Sequence, residues 1–362
     1  MTKPPADGPT TSGEPAVGVA QATEHPHAPP APNGQNTQRA PRTSEGQATG
    51  RLTGASSHAN LNTGAVNAGT LAFVALLGLV WGLNWPAIKV LLREIEPFTI
   101  RASALCAAGL LLGTLAAARG DRLVPPLTEI PWMLVTGLLT IFGFNVLVVI
   151  GQTLTEASTA AIIAYVMPAL TVLLSCVLLG ERLRLRQAAA LAIAMAGLAI
   201  LAMADVARLI ADPRGALVMV AAAFVWALGT VAMKAGRFAL PPLALTAWFL
   251  LMSGLASLPL VVMFEAPFER PLPSAAVFAV WAWHVVCPMV LGYALWTLLV
   301  ARLPASIAAI ATLLAPVVGV ASSIALLGEA ATVGKISALA LIVVSIALVF
   351  APRGRPTSNG SP

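Results

Sequence analysis

Long apolar runs separated by short polar breaks fill the chain from residue 69 to residue 350. The runs cover residues 69–92, 98–117, 131–153, 157–179, 187–204, 215–235, 243–264, 275–299, 305–327 and 333–350. A helix needs about 20 residues to cross the roughly 30 Å of hydrocarbon in a bilayer. Ten spans of that length use most of the segment, and the breaks are too short to hold a soluble domain. Inside hydrocarbon every backbone N–H and C=O must be paired within its own segment, so the runs read as helices. A β-barrel would need short alternating strands, which the pattern does not contain. The predicted fold class is all-α, a polytopic membrane protein with ten transmembrane helices.

The pattern also repeats. Residues 157–181 read ASTAAIIAYVMPALTVLLSCVLLGE, and residues 305–329 read ASIAAIATLLAPVVGVASSIALLGE. Twelve of these 25 aligned positions are identical, among them Pro168/Pro316, Ser175/Ser323, Gly180/Gly328 and Glu181/Glu329. Apolar letters match by chance in Ala/Leu-rich helices, but a proline and a terminal Gly-Glu at one common offset mark a duplication. Upstream, VWGLNWPAIK (80–89) aligns with VWALGTVAMK (225–234), pairing Trp81 with Trp226 and Lys89 with Lys234. The spans thus form two sets of five. Five is odd, so the second set enters the membrane from the other side, giving two inverted five-helix repeats, residues 68–204 and 215–351. Halves of opposite orientation can rock against each other around a midplane site.

Composition agrees with this reading. The chain of 362 residues is 58% hydrophobic and 10% charged, against about 25% charge in soluble domains. Residues 1–67 differ, being rich in Pro, Gly, Ser and Thr without an aromatic group. They read as a disordered tail that cannot offset its ordering entropy, and residues 352–362 as a short C-terminal tail. The tail has no apolar h-region of a signal peptide, so the first span is expected to direct membrane insertion. His25, His27 and His58 lie in it, where a solvated tail outweighs a weak metal site. Cys106, Cys176 and Cys287 lie in apolar runs and read as packed thiols. The net charge of +6 is scattered between runs rather than gathered in a basic tract, so it reads as membrane-loop charge, with no nucleic-acid partner. With the N-terminus inside, eleven Lys/Arg fall in cytoplasmic loops and seven on the opposite side, which favours both termini in the cytoplasm.

Together these segments resemble the ten-helix drug/metabolite transporter superfamily, EamA type. The resemblance covers about residues 70–350. It rests on the paired LLGE segments, followed by Arg182-Leu183 and by Ala330-Ala331, on Trp81, Gly82 and Asn84 in the first helix, and on Pro97 and Arg101 opening the second. It implies an exporter or exchanger of small molecules such as amino acids, metabolites or drugs, without a cofactor, in the inner membrane. The second half departs from the pattern, with Ala227, Gly229 and Thr246 at the matching places. Polar contacts through these positions are therefore expected from the first half only.

No motif for covalent catalysis or phosphate binding stands out, and no metal site is expected in the spans. Polar groups in hydrocarbon are costly unless paired or wet, so each is a candidate. Trp81, Asn84, Asn145, Gln152, Tyr165, Trp226, Tyr293 and Trp296 are the expected lining of a substrate cavity. Asn145 and Gln152, seven apart, share a face of the third helix. Bonds to a neighbouring helix are their alternative role, as an interfacial aromatic belt is for Trp296. Tyr293 falls on Asn145 at the repeat offset of 148. Pro168 and Pro316 should loosen their helices and read as hinges, with an inert packing kink as the alternative. His284 reads first as a packed, hydrogen-bonded histidine and second as a proton relay. Lys89 and Lys234 are expected to snorkel at helix ends, and Arg101 to lie near the outer end of its helix, paired with Glu94 or Glu96. Glu181 and Glu329 read as interfacial. The GxxxG spacings Gly78/Gly82 and Gly109/Gly113 allow close helix contact, and a homodimer is compatible with them.

The expected function is a secondary transporter exporting small metabolites, amino acids or drug-like molecules by alternating access. Its partners are a small-molecule substrate and the lipid bilayer. Alternatives are an exchanger of phosphorylated or nucleotide sugars, which needs several cations facing the cavity, and an intramembrane lipid-modifying enzyme, which needs convergent His, Asp or Ser groups.

Overall fold

The computed structural model describes residues 68–204, 212–266, 269 and 271–350. The tails 1–67 and 352–362, with His25, His27 and His58, lie outside the described residues. Among the described residues ten helices follow one another: α1 (Ala68–Leu91), α2 (Pro97–Ala118), α3 (Leu127–Leu154), α4 (Ala157–Leu179), α5 (Leu185–Ala204), α6 (Arg214–Ala235), α7 (Pro242–Phe264), α8 (Ala275–Arg302), α9 (Ala305–Leu327) and α10 (Val333–Phe350). Eight are long and apolar enough to cross a membrane, and α5 and α10 carry the shorter apolar stretches Leu185–Ile200 and Val333–Ser345. Large apolar side chains such as Leu173, Val177, Val262 and Met263 face outward, which in this fold is contact with lipid rather than a defect.

The two halves run in opposite directions. Equivalent helices α2 and α7 cross through reciprocal small residues: a Cβ on Gly109 would stand 2.7 Å from the Leu251 nitrogen, and one on Gly254 would stand 2.6 Å from that of Cys106. As residue numbers rise along one helix they fall along the other, so the pair is antiparallel. The fourth helices agree. Gly180 and Gly328 end α4 and α9 in the left-handed region, at φ 66° and 70°, a conformation that glycine adopts without a Cβ penalty. The glutamate after each then meets the start of the opposite helix. The Glu181 carboxylate accepts from the Ala305 and Ser306 amides at 2.8 and 3.1 Å and from the Ser306 hydroxyl. Glu329 faces the Ser158 amide at 3.5 Å. End meets start at both places, so α4 and α9 are antiparallel too.

Four local irregularities interrupt the regular helices. α4 breaks at Tyr165–Val166 and α9 at Thr312–Leu313, two to four residues ahead of Pro168 and Pro316. Proline supplies no N–H to the preceding turn, and i→i+3 bonds such as Val166 N to Ile163 O (3.1 Å) and Leu313 N to Ile310 O (3.2 Å) tighten each break. α3 and α8 each contain a π-helical stretch, Leu138–Gly143 and Val285–Gly292, at matching places in the repeats. π-bulges are frequently found at functional sites.

Candidate functional site

The irregular turns converge on one cavity. α1 offers Trp81, Asn84, Trp85 and Ile88 at helical spacing, so all four share a face. α3 adds Phe144, Asn145 and Val148 just after its π turn, and α8 adds Met289 within its π turn and Tyr293 at its end. Tyr165 at the break of α4, Met167 after it, Trp226 of α6 and Arg101 of α2 complete the lining. The volume between these side chains is about 40 Å³, room for about one water molecule.

The two repeats meet here through their own equivalents. Trp81 and Trp226 pack edge to face with centroids 5.4 Å apart, and Tyr293 lies 5.7 Å from Trp81. The Asn145 amide donates to the Tyr293 hydroxyl at 2.5 Å and to the Ile141 carbonyl at 2.8 Å, inside the π turn. The Trp81 indole donates to the Pro288 carbonyl at 3.3 Å in the other π turn. Widened turns leave carbonyls without their usual helical donor, and these side chains supply one.

Six of the eight expected lining residues therefore stand together around this cavity. Trp296 is fully buried behind it, against Trp81 and Trp226 at 5.7 and 5.2 Å, and belongs to no interfacial belt. Gln152 lies about 10 Å beyond Asn145, where it lines a second, open space instead. That vestibule of about 1140 Å³ sits at the Glu329 end, among Lys89, Arg93, Glu96, Gln152, Glu156, Glu329 and Lys335. Asn145 and Gln152 thus share a face but not a compartment. Pro168 and Pro316 are buried beside the helix breaks.

Three charged or titratable groups differ from expectation. Lys89 does not snorkel; its ammonium bonds the Gln152 carbonyl near the end of α3. Lys234 repeats this on the Val300 carbonyl near the end of α8, at 3.0 Å. Late carbonyls of a helix have no intrahelical donor, so each lysine pins the first helix of its repeat to the third. Arg101 is the larger correction. It is 0% exposed, and its Nε, Nη1 and Nη2 have no hydrogen-bond partner. Glu94 bonds Ser274 (2.6 and 3.0 Å) rather than Arg101. The sequence did hold a signal, because Arg101 is the one charged residue within α2. His284 is fully buried behind the cavity, its Nδ1 2.6 Å from Asn84 Oδ1, while its Nε2 has no partner. Trp85, Phe144, Met167 and Met289 were not singled out from the sequence, where they look like ordinary apolar packing.

In the second half Thr246, at the place of Arg101, bonds the Thr297 hydroxyl at 2.8 Å and the Pro242 carbonyl at 2.7 Å. Gly229, at the place of Asn84, lets α6 approach the π turn of α3, since a Cβ there would stand 2.6 Å from the Thr140 nitrogen. The repeats share a frame, and the charge in the cavity comes from the first. Among the described residues no three His, Cys, Asp or Glu side chains gather as a metal site.

Comparison with known proteins places this architecture. The "Uncharacterized transporter YvbV" of Bacillus subtilis (strain 168) is 31% identical over 288 residues, covering 77% of this chain and 91% of its own. The "Probable amino-acid metabolite efflux pump" of Salmonella typhimurium (strain LT2) is 29% identical, covering 80% and 98%. A solved crystal structure with 22% identity superposes with a TM-score of 0.63 over 76% of this chain and 95% of its own, a likeness of fold alone. The EamA-like transporter family matches residues 69–203 and again 213–351. With one family unit in each of its two inverted halves, this chain belongs to the EamA-like transporter family.

Proposed function

We propose that this protein is a secondary transporter of the inner membrane that exports small metabolites, amino acids or drug-like molecules by alternating access. The observation that carries this reading is the inequality of its two equivalent ends. At one end Glu181 caps α9 through three hydrogen bonds. At the other, the Glu329 carboxylate stands 3.5 Å from the Ser158 amide and 3.5 Å from the Lys335 ammonium, and the vestibule opens there. In an inverted-repeat protein the opposite state follows by exchanging the conformations of the halves. Glu329 then closes on Ser158, and Glu181 releases Ala305 and Ser306. The aromatic cavity between the halves is served by each end in turn.

The loop charges favour cytoplasmic termini, which puts the Glu181 end inside and the vestibule outside. Export as the direction, and amino acids as one class of cargo, are supported by the "Probable amino-acid metabolite efflux pump" above and by the "Probable terminal-alkyne amino-acid exporter" of Streptantibioticus cattleyicolor. The latter is 30% identical over 131 residues, 36% of this chain and 44% of its own. Counterflow in liposomes with purified protein and a panel of amino acids, other metabolites and cationic dyes tests the reading. Accelerated exchange of at least one compound over protein-free vesicles is expected. Exchange of none would turn attention to the lipid-modifying enzyme.

A further inference from the structure

Alternating access explains why a cavity lies between the halves, but not why that cavity holds an unpaired cation. Arg101 is 0% exposed, and none of its three nitrogens has a hydrogen-bond partner. A guanidinium carries five N–H donors in a fixed fork and stays charged. Two carboxylates at this end of the helices are engaged elsewhere: Glu265 binds the Phe98 and Thr99 amides at the start of α2, and Glu94 binds Ser274. A buried charge without a partner is among the most destabilising arrangements a fold can contain. Its retention in a cavity is explained when the partner arrives from outside.

The lining narrows what that partner is. Arg101 is its one charged residue, surrounded by Trp81, Trp85, Phe144, Trp226 and Tyr293. We propose, building on the transport reading above, that Arg101 is the receptor for the carboxylate of the cargo, whose apolar or aromatic body lies against these rings. The cargo class is the organic monocarboxylates. A carboxylate matches the guanidinium fork with two parallel bonds and leaves the site neutral. A phosphate dianion would leave excess negative charge in a nearly dry space. No Asp or Glu lines the cavity to receive an ammonium, which meets only ring faces and amides there. An α-amine is therefore tolerated but not required. Thr246, at the matching place in the second half, is neutral and already bonded to Thr297, so each molecule has one receptor. The cavity of about 40 Å³ is smaller than such a cargo, so binding parts the rings and perturbs the indoles of Trp81 and Trp226.

The test titrates the purified full-length protein in detergent with 3-phenylpropionate, phenylalanine, phenethylamine and chloride. Tryptophan fluorescence and calorimetry report binding, for the wild type, Arg101→Gln and Arg101→Lys. The wild type should bind 3-phenylpropionate and phenylalanine at one site and phenethylamine at least tenfold more weakly. Arg101→Gln should lose at least tenfold in carboxylate affinity, with Arg101→Lys between. Ligand-free Arg101→Gln should melt no lower than the wild type, because no bond is broken. Phenethylamine binding as tightly as 3-phenylpropionate would overturn the proposal, and so would undiminished carboxylate affinity in folded Arg101→Gln. Equal occupancy of the site by chloride would assign it to inorganic anions instead. A lower melting point in Arg101→Gln that Arg101→Lys restores would assign a structural role and also overturn it. Counterflow of cargo lacking a carboxylate, with no carboxylate bound, would remove this proposal and leave the transport reading standing.

Discussion

Glu181 and Glu329 hold the same place in the two repeats, yet their bonds differ in length and number. Glu181 satisfies two amides and a hydroxyl at the start of α9, whereas Glu329 reaches a single amide at 3.5 Å. Capping the first amides of a helix contributes about 0.5–2 kcal/mol, and a carboxylate also favours the positive end of the helix dipole. Glu181→Gln should therefore speed hydrogen exchange at Ala305 and Ser306 roughly tenfold, an opening free energy lower by about 1–2 kcal/mol. Glu329→Gln should change exchange at Ser158 much less. Equal effects at both ends would mean that the caps are equivalent and that the ends are not in different states. Arg101 shows the limit of sequence reading at this scale. Its place near the outer end of α2 suggests a pair with Glu94 or Glu96, but a long side chain early in a helix can point inward as well as outward, and only the packing of α3, α7 and α8 against α2 decides.

At the scale of the helix, apolar runs gave all ten elements and their order, because the bilayer demands length and pairing and little else. The prolines marked where α4 and α9 break, through the amide they lack. The π turn of α3 left no comparable mark, standing in a stretch as apolar as any other, whereas that of α8 contains Pro288. They were stabilised by partners distant in sequence, Asn145 and Trp81, whose bonds to Ile141 and Pro288 exist only after folding. If the breaks are hinges, Pro168→Ala and Pro316→Ala should mend the helices and stiffen them. Counterflow rates should then fall severalfold while the amount of inserted protein, measured by blotting, stays near the wild type. Undiminished rates in both variants would leave the breaks as packing kinks.

For the whole molecule, the duplication read from sequence is matched by antiparallel equivalents: α2 beside α7, and α4 capped end to start with α9. The parity of five helices was enough to anticipate inversion, because an odd number of crossings leaves no other choice. Parity did not show which end is open, since that depends on small differences between equivalent contacts. Spin labels can follow both ends at once. Arg182 and Arg302 are exposed beside the Glu181 cap, and their repeat equivalents Ala330 and Leu154 are exposed beside Glu329. Double electron–electron resonance on the pairs 182/302 and 154/330, in liposomes with and without transported cargo, measures the exchange of states directly. The account predicts opposite changes, the first distance lengthening as the second shortens. Distances that shift together, or a 182/302 pair that stays fixed while cargo is moved, would contradict it.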